Sequence, residues 1–483
     1  MSDIHQTIKN NFNKISEQWD HDIIPQLENY IRIPSKSPLF DKNWKANGHI
    51  ANAMALLKNW CEKQNIKNKK IELLHIENRT PVLVIDIPGD SDKTILLYGH
   101  MDKQPEMTGW FDGLDPWKPV IKDGKLYGRG GADDGYATFA ALNAIAYLQS
   151  LHIPHARCIV LIEACEESGS FDLPPYLALI KKQMGDPDFI ICLDSESGNY
   201  EQLWGTTSLR GIVGGTLEIH TLENGIHSGY GSGVAPSVFD VLRQLLNRIE
   251  DPNNGKIEVD ALHVKIPEHR LEQAKNAAKA LGDEFIKGIP FLDGVKPLCN
   301  DTAELILNRT WRPALSLVGA DGIPAIANAG NVTLPSLSVK LSMRVPPTCD
   351  VKKASLALKE ILESHPPFNA KVSYHAEDFG PGWHAPELAD WLARASDNAS
   401  QLFFNKNAAY LGIGGTIPFM GMLSDLFPKA QFLITGVLGP KSNAHGPNEF
   451  LHIDYTKKLV GCVASIIAAH YGVSQIPHFH ASS

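Results

Sequence analysis

Apolar residues recur at mostly helical spacing over residues 18–33 and again over 50–60, where a lysine-rich polar turn follows, and both stretches predict surface helices. Two short apolar runs come next, 81–87 and 94–98, bounded by Gly, Pro and Asp. They predict buried strands. An alanine- and leucine-rich helix is expected over 135–150, a strand over 157–163, and another over 189–193 after the Pro187 turn. Strands separated by helices imply an α/β fold with a largely parallel sheet, whose ligands gather beyond the carboxyl ends of the strands.

The pattern changes after Arg210. Residues 211–220 are β-rich, 237–249 form a helical repeat, 332–345 alternate apolar and polar over much of their length, and 371–375 read as a further strand. This is the signature of an inserted α+β domain. From about Pro386 the helical pattern returns over 388–399, and 432–436 resume the buried-strand pattern. The sheet-bearing domain is therefore expected to be discontinuous, with residues 1–209 and 382–483 on either side of an insertion at 210–381. No internal repeat, heptad array or low-complexity tract interrupts it. Residues 476–483 hold His478 and His480 but read as a tail rather than a site.

A chain of 483 residues exceeds what one hydrophobic core usually supports, which agrees with two domains, and 43% hydrophobic residues is ordinary globular composition. The net charge of −9 argues against a general nucleic-acid or anionic-membrane surface, leaving a small molecule as the expected partner. Seven widely spaced cysteines with no C-x-x-C pair predict buried thiols in a reducing compartment. The first residues lack a basic region followed by an apolar core, and no stretch of about 18 apolar residues occurs. A cytoplasmic location is expected.

Five segments combine strand ends with metal-binding side chains: Gly99-His100-Met101-Asp102, Gly131-Ala132-Asp133-Asp134-Gly135, Glu166-Glu167-Ser168-Gly169, Leu193-Asp194-Ser195 and Asn443-Ala444-His445-Gly446. Alternation beyond a strand places His100 and Asp102 on one side, where the carboxylate can orient the imidazole. The glycine-rich loop 128–135 lacks the Lys-Ser/Thr ending of a phosphate-binding loop and sets two acids where the phosphate would lie, so it favours a cation. Asp133 has two oxygens with which to bridge a pair of metals; capping of the following helix is the plainer role for either acid, Asp134 above all. Glu166 and Glu167, read as neighbours in extended structure, are expected to point opposite ways, one to a metal and the other free to take a proton during hydrolysis.

As an ordered set, these segments resemble the co-catalytic di-zinc metallopeptidases that include aminoacylases, desuccinylases, carboxypeptidase G-type enzymes and carnosinases, over about residues 94–450. The resemblance implies a three-layer catalytic domain with a mostly parallel central sheet, and a lid and dimerisation domain in the insertion. It also implies two divalent ions, zinc first with manganese or cobalt as accepted substitutes, one on His100, Asp133 and Asp194, the other on Asp133, Glu167 and His445. Glu166 would be the general base and Asp102 the support of His100. Gly225-Ile226-His227-Ser228-Gly229 resembles the His-Ser-Gly lid segment of the carnosinase and cytosolic nonspecific dipeptidase branch. That likeness makes His227 the oxyanion-stabilising residue, reaching a partner subunit's site in a homodimer. Arg344 matches the branch's carboxylate-binding arginine; Asn331, where the family often has Thr, and Thr416 match its polar substrate contacts.

The implied activity is two-metal hydrolysis of small peptides. An N-acyl amino acid deacylase on the same scaffold is the alternative, and a non-catalytic binding protein a distant one. The length of the insertion is closer to the dipeptidase branch than to the compact deacylase lid.

Overall fold

The computed structural model describes residues 2–415 and 418–474, so the expected tail at 476–483 and the candidate Thr416 lie outside the described residues. The chain folds as two units, one of Met1–Thr206, Ala385–Leu411 and Met422–Ser483, the other of Thr207–His384 and Gly412–Gly421.

The first unit is built on a mixed sheet in the order Lys70–Leu74, Val82–Ile87, Arg157–Glu163, Thr94–His100, Phe189–Cys192, Gln431–Ile434. Its central pairings, Thr94–His100 with Arg157–Glu163 and with Phe189–Cys192, and Phe189–Cys192 with Gln431–Ile434, are all parallel. Antiparallel strands flank that centre. Every residue of Thr94–His100 is buried, as expected of a strand covered on both faces, and this explains why it reads as an unbroken apolar run. Ile95 and Leu97 join one core with Val160, Ile162 and Ile191 from neighbouring strands. The helices Tyr136–Ser150, Asp390–Phe404 and Ile453–Ser474 add to that core, as do the amino-terminal helices Ile24–Ile31 and His49–Lys63. Leu96 and Tyr98, which alternate with them, are equally buried on the opposite face.

Local chemistry fixes the surrounding elements. Residues 18–33, expected as one helix, contain a wider turn at Trp19–Ile23 before Ile24–Ile31. The carboxyl end of that second helix leaves backbone carbonyls without helical donors. The buried Lys103 ammonium supplies them, donating to Tyr30 O at 2.8 Å and Ile33 O at 2.7 Å while lying over the Tyr30 ring. Asp172 sits at the start of helix Leu173–Met184 but turns away from its own helix, accepting from Thr80 N at 2.9 Å, Thr80 Oγ1 at 3.1 Å and Arg79 Nη1 at 3.0 Å.

The second unit is an α+β structure. Its four-stranded antiparallel sheet runs Ala314–Asp321, Ser336–Val345, Gly211–His220, Lys371–Gly380. Ser336–Val345 alternates half-buried and buried along its whole length, which is the physical content of its sequence alternation. Leu337, Val339, Leu341, Met343 and Val345 face the core with Val213, Leu217 and Ile219, under the helices Val238–Leu246 and Val351–Glu363. Helices Glu268–Leu281 and Thr302–Thr310, not singled out by the sequence pattern, complete much of the connection between strands. Among the described residues, no helix is long and apolar enough to cross a membrane. All seven cysteines are unpaired, and six of them are buried.

Asp172→Ala removes an acceptor shared by a buried amide, a hydroxyl and a guanidinium. It is expected to lower stability by about 1–3 kcal/mol, read as an earlier urea-unfolding midpoint.

Candidate metal centre

Three sheet strands of the first unit end at or near an imidazole or acids. His100 is the last residue of its strand, Asp194 lies just past the end of Phe189–Cys192, and Glu166 and Glu167 follow Arg157–Glu163 by a short turn. His100 Nε2 lies 3.4 Å from Asp133 Oδ1, 3.7 Å from Asp194 Oδ2 and 3.9 Å from Glu166 Oε2. His445 Nε2 lies 3.0 Å from the other Asp133 oxygen and 3.3 Å from Glu167 Oε2. The structure thus brings His100, Asp133 and Asp194 into one group, and Asp133, Glu167 and His445 into another, with donor atoms in each within 4.8 Å of one another. Asp133 belongs to both.

Two features of these groups fit cations. His100 Nε2 and Glu167 Oε1 are buried with no hydrogen-bond partner, although buried polar atoms are normally satisfied. Imidazole with carboxylate oxygens is also the donor set that suits zinc, manganese or cobalt. The charges are otherwise uncompensated. Burial and the Asp194 charge hold the Glu166 carboxyl well above the usual carboxylate range, and burial with the Asp133 charge does the same to Glu167. Asp194 is pushed up to about 6, chiefly by burial. Asp133 moves the other way: burial would raise it, but the facing imidazoles of His100 and His445 outweigh burial and hold it low. Burial likewise works against a charged His100, and the facing Asp194, Asp102 and Asp133 overcome it, so its pKa is well raised.

The surrounding acids hold backbone rather than the centre. Asp102 accepts the amides of Glu166 at 3.1 Å and Glu167 at 3.0 Å, which shapes the turn that carries both glutamates. Its carboxylate also lies 3.5 Å from His100 Nδ1, and its backbone carbonyl lies nearer, at 3.1 Å. Asp134 makes no cap to the helix Tyr136–Ser150, contrary to the capping expectation. The helix begins only after Gly135, and Asp134 Oδ2 accepts instead from the backbone N–H of His100 at 3.1 Å. The opposed directions expected of Glu166 and Glu167 have a different origin too. Their strand stops at Glu163, and the pair sits in a 3-10 turn, Glu166–Ser168, which still sends Glu166 towards His100 and Glu167 towards His445.

Sequence patterns did not single out Glu449, Arg129, Gln104 or Glu163. Glu449 Oε1 accepts the amides of Gly130 at 3.0 Å, Ala132 at 3.2 Å and Asp133 at 3.2 Å, holding the glycine-rich loop from inside. Its other oxygen meets Arg129 Nη1 at 2.7 Å in a fully buried ion pair. The available signal was an acid four residues beyond His445 and an arginine inside a glycine-rich loop. Gln104 Nε2 donates to Glu167 Oε2 at 2.5 Å. Glu163, buried under the cluster, accepts from Tyr98 Oη at 2.6 Å and Ser170 Oγ at 2.9 Å, and burial pushes it up to about 8.

The remaining candidates belong to the second unit. His227 is exposed, caps the short helix Ser228–Gly231 by accepting the Gly229 amide at 3.1 Å, and pairs with Val332 across a two-residue ladder. That ladder also brings Asn331 beside it, since Ser228 N donates to Asn331 O at 2.8 Å. Arg344 lies half-buried on Ser336–Val345, opposite Ile212 and Ala314, and burial lowers its pKa.

The sequence profile of peptidase family M20/M25/M40 matches residues 96–469. The cysteinylglycine-S-conjugate dipeptidase of Corynebacterium striatum is 26% identical over 384 residues, covering 77% of this chain and 80% of the relative. The human β-Ala-His dipeptidase is 27% identical over 403 residues, covering 78% and 76%. Among solved structures, the di-peptidase Dug1p from Saccharomyces cerevisiae superposes with a TM-score of 0.71 at 21% identity, over 99% of this chain and 100% of that one. At that identity the likeness concerns the fold.

The raised carboxyls give the metal-free protein a definite pH response. Asp194, at about 6, and Glu163, at about 8, hold protons in the folded chain that their unfolded counterparts have already lost. Stability from both is present at low pH and is lost as pH rises through those values. The melting temperature of chelator-treated protein is expected to fall between about pH 4, where the unfolded carboxyls ionise, and about pH 8, where the folded ones have done so, in scanning fluorimetry.

Proposed function

The chain belongs to peptidase family M20/M25/M40, and we propose that it is a dipeptidase working with two divalent ions, zinc in the first place. The observation that carries this reading is Asp133, whose two oxygens each face a separate imidazole, at 3.4 Å and 3.0 Å. His100, Asp133 and Asp194 would hold one ion, and Asp133, Glu167 and His445 the other. A bound pair of this kind lowers the pKa of water and polarises a carbonyl.

The chain's own residues then have distinct tasks. Glu166, near His100 but outside both donor groups, would take the proton of the attacking water as its oxygen bonds to the scissile carbonyl carbon. As the C–N bond breaks, Glu166 would return that proton to the leaving amine, and the remaining water proton would pass from the new carboxyl to the amine, giving a carboxylate and an ammonium group. Asp102 would hold the turn in which Glu166 sits. Arg344 would bind the terminal carboxylate of the peptide by two parallel hydrogen bonds, limiting the substrate to short peptides. Asn331 and Thr416 would add polar contacts to the substrate backbone.

The first unit would be the catalytic domain and the second a lid and dimerisation domain. In the second unit, Tyr230, Val234 and Phe368 are exposed apolar side chains, and a cavity of about 560 Å³ lies between Ser228 and Phe368. We propose that this unit pairs with a second copy of the chain, and that His227 stabilises the oxyanion in the partner's site. Dipeptidase is favoured over N-acyl amino acid deacylase because the named relatives are dipeptidases. The acidic net charge and the buried thiols support a cytoplasmic enzyme with neither nucleic acid nor membrane as partner.

Glu166→Gln is expected to lower turnover of dipeptides by about 10²–10⁴-fold while elemental analysis finds the wild-type metal content. Loss of metal together with activity would make Glu166 a ligand, and turnover of N-acetyl amino acids in place of dipeptides would favour the deacylase. The dimer has its own test. Mixing inactive Glu166→Gln with inactive His227→Ala is expected to restore activity, because a mixed dimer contains one site with both an intact glutamate and a histidine from the neighbour. No recovery after subunit exchange would place His227 in its own subunit's site or outside catalysis.

A further inference from the structure

Arg129 is 1% exposed and directs its three nitrogens to three separate pieces of chain. Nε donates to Pro105 O at 3.0 Å, Nη1 to Glu449 Oε2 at 2.7 Å, and Nη2 to Gly446 O at 2.6 Å. Each destination adjoins one member of the Asp133, Glu167 and His445 group. Pro105 follows Gln104, the residue whose amide donates to Glu167 Oε2 at 2.5 Å. Glu449 accepts the Asp133 amide through its other oxygen. Gly446 follows His445 directly.

The other group is framed differently. His100 ends a sheet strand and Asp194 follows one, so the sheet itself fixes their spacing. His445 and Glu167 sit in loops and turns, and the His445 side chain is 56% exposed. We infer that Arg129, with Gln104 as its extension onto Glu167, is the positioning residue of the Asp133, Glu167 and His445 subsite. The inference rests on the two-ion reading above. A planar guanidinium holds three acceptors at fixed angles, whereas a lysine at the same place would keep the charge against Glu449 and lose the geometry.

The test is a titration of chelator-stripped protein with Mn²⁺ alone, following free Mn²⁺ by electron paramagnetic resonance. Wild type is expected to take two ions. Arg129→Lys and Gln104→Leu are each expected to bind one ion within about twofold of wild type and the other about tenfold or more weakly, as is usual when a residue behind a ligand is removed. Raised Mn²⁺ should then restore much of their turnover, which it would not do for a general folding defect. A folded variant that keeps both ions at wild-type affinity, or weakens both equally, overturns the inference. Should Arg129→Lys fail to fold, Gln104→Leu decides the matter, because it leaves the buried ion pair intact. Fewer than two ions on the wild type would overturn the two-ion reading itself, a separate outcome visible before any variant is made.

Discussion

Four carboxylates, Asp102, Asp133, Glu166 and Asp194, crowd around the buried imidazole of His100, with Glu167 close by on His445, and their mutual repulsion in a water-poor interior is the constraint under which the rest of the first unit is arranged. Like charges at such separations cannot all ionise without compensation. Without cations the cluster retains protons, as the raised Glu166, Glu167 and Asp194 carboxyls record. With cations, the same crowding becomes an affinity. The fold therefore stores an electrostatic demand that it does not itself meet.

The acids divide according to how they are satisfied. Glu449 takes three backbone amides, Asp102 takes two, and Asp134 takes the amide of His100. These outward carboxylates hold the loops that carry the inward ones. Asp133 and Glu167 instead face imidazoles, and one oxygen of Glu167 is left without a hydrogen-bond partner. Backbone amides in the glycine-rich loop and the Glu166–Ser168 turn supply most of the donors for the first set, because no sheet ladder uses them there. The sheet thus brings these side chains together, and the turns beyond it fix them.

Much of this arrangement was legible in the sequence, for identifiable reasons. Strand ends after unbroken apolar runs located His100, Asp194 and the two glutamates, and the alternation of residues 336–345 gave the sheet of the second unit. Asp134 was less readable: a residue preceding a helix looks like a cap, and only the fold reveals that the His100 amide lies closer to hand. The Glu166–Glu167 pair diverges as expected but through a tight turn, since the strand stops three residues before Glu166. Glu449 and Arg129 carried no local signal of their partnership, because the pattern of a single segment cannot report a contact made 320 residues away.

That separation bears on how the molecule comes into being. Synthesis proceeds from the amino terminus and domains tend to consolidate as they emerge. Here the central sheet awaits Gln431–Ile434 for its neighbour beside Phe189–Cys192, and the glycine-rich loop awaits Glu449. A nascent chain arrested before residue 445 carries Arg129 without its counter-charge and Asp133 without His445. The cluster of acids and imidazoles is consequently incomplete until nearly the entire polypeptide has left the ribosome, so truncated translation products carry only a fragment of it.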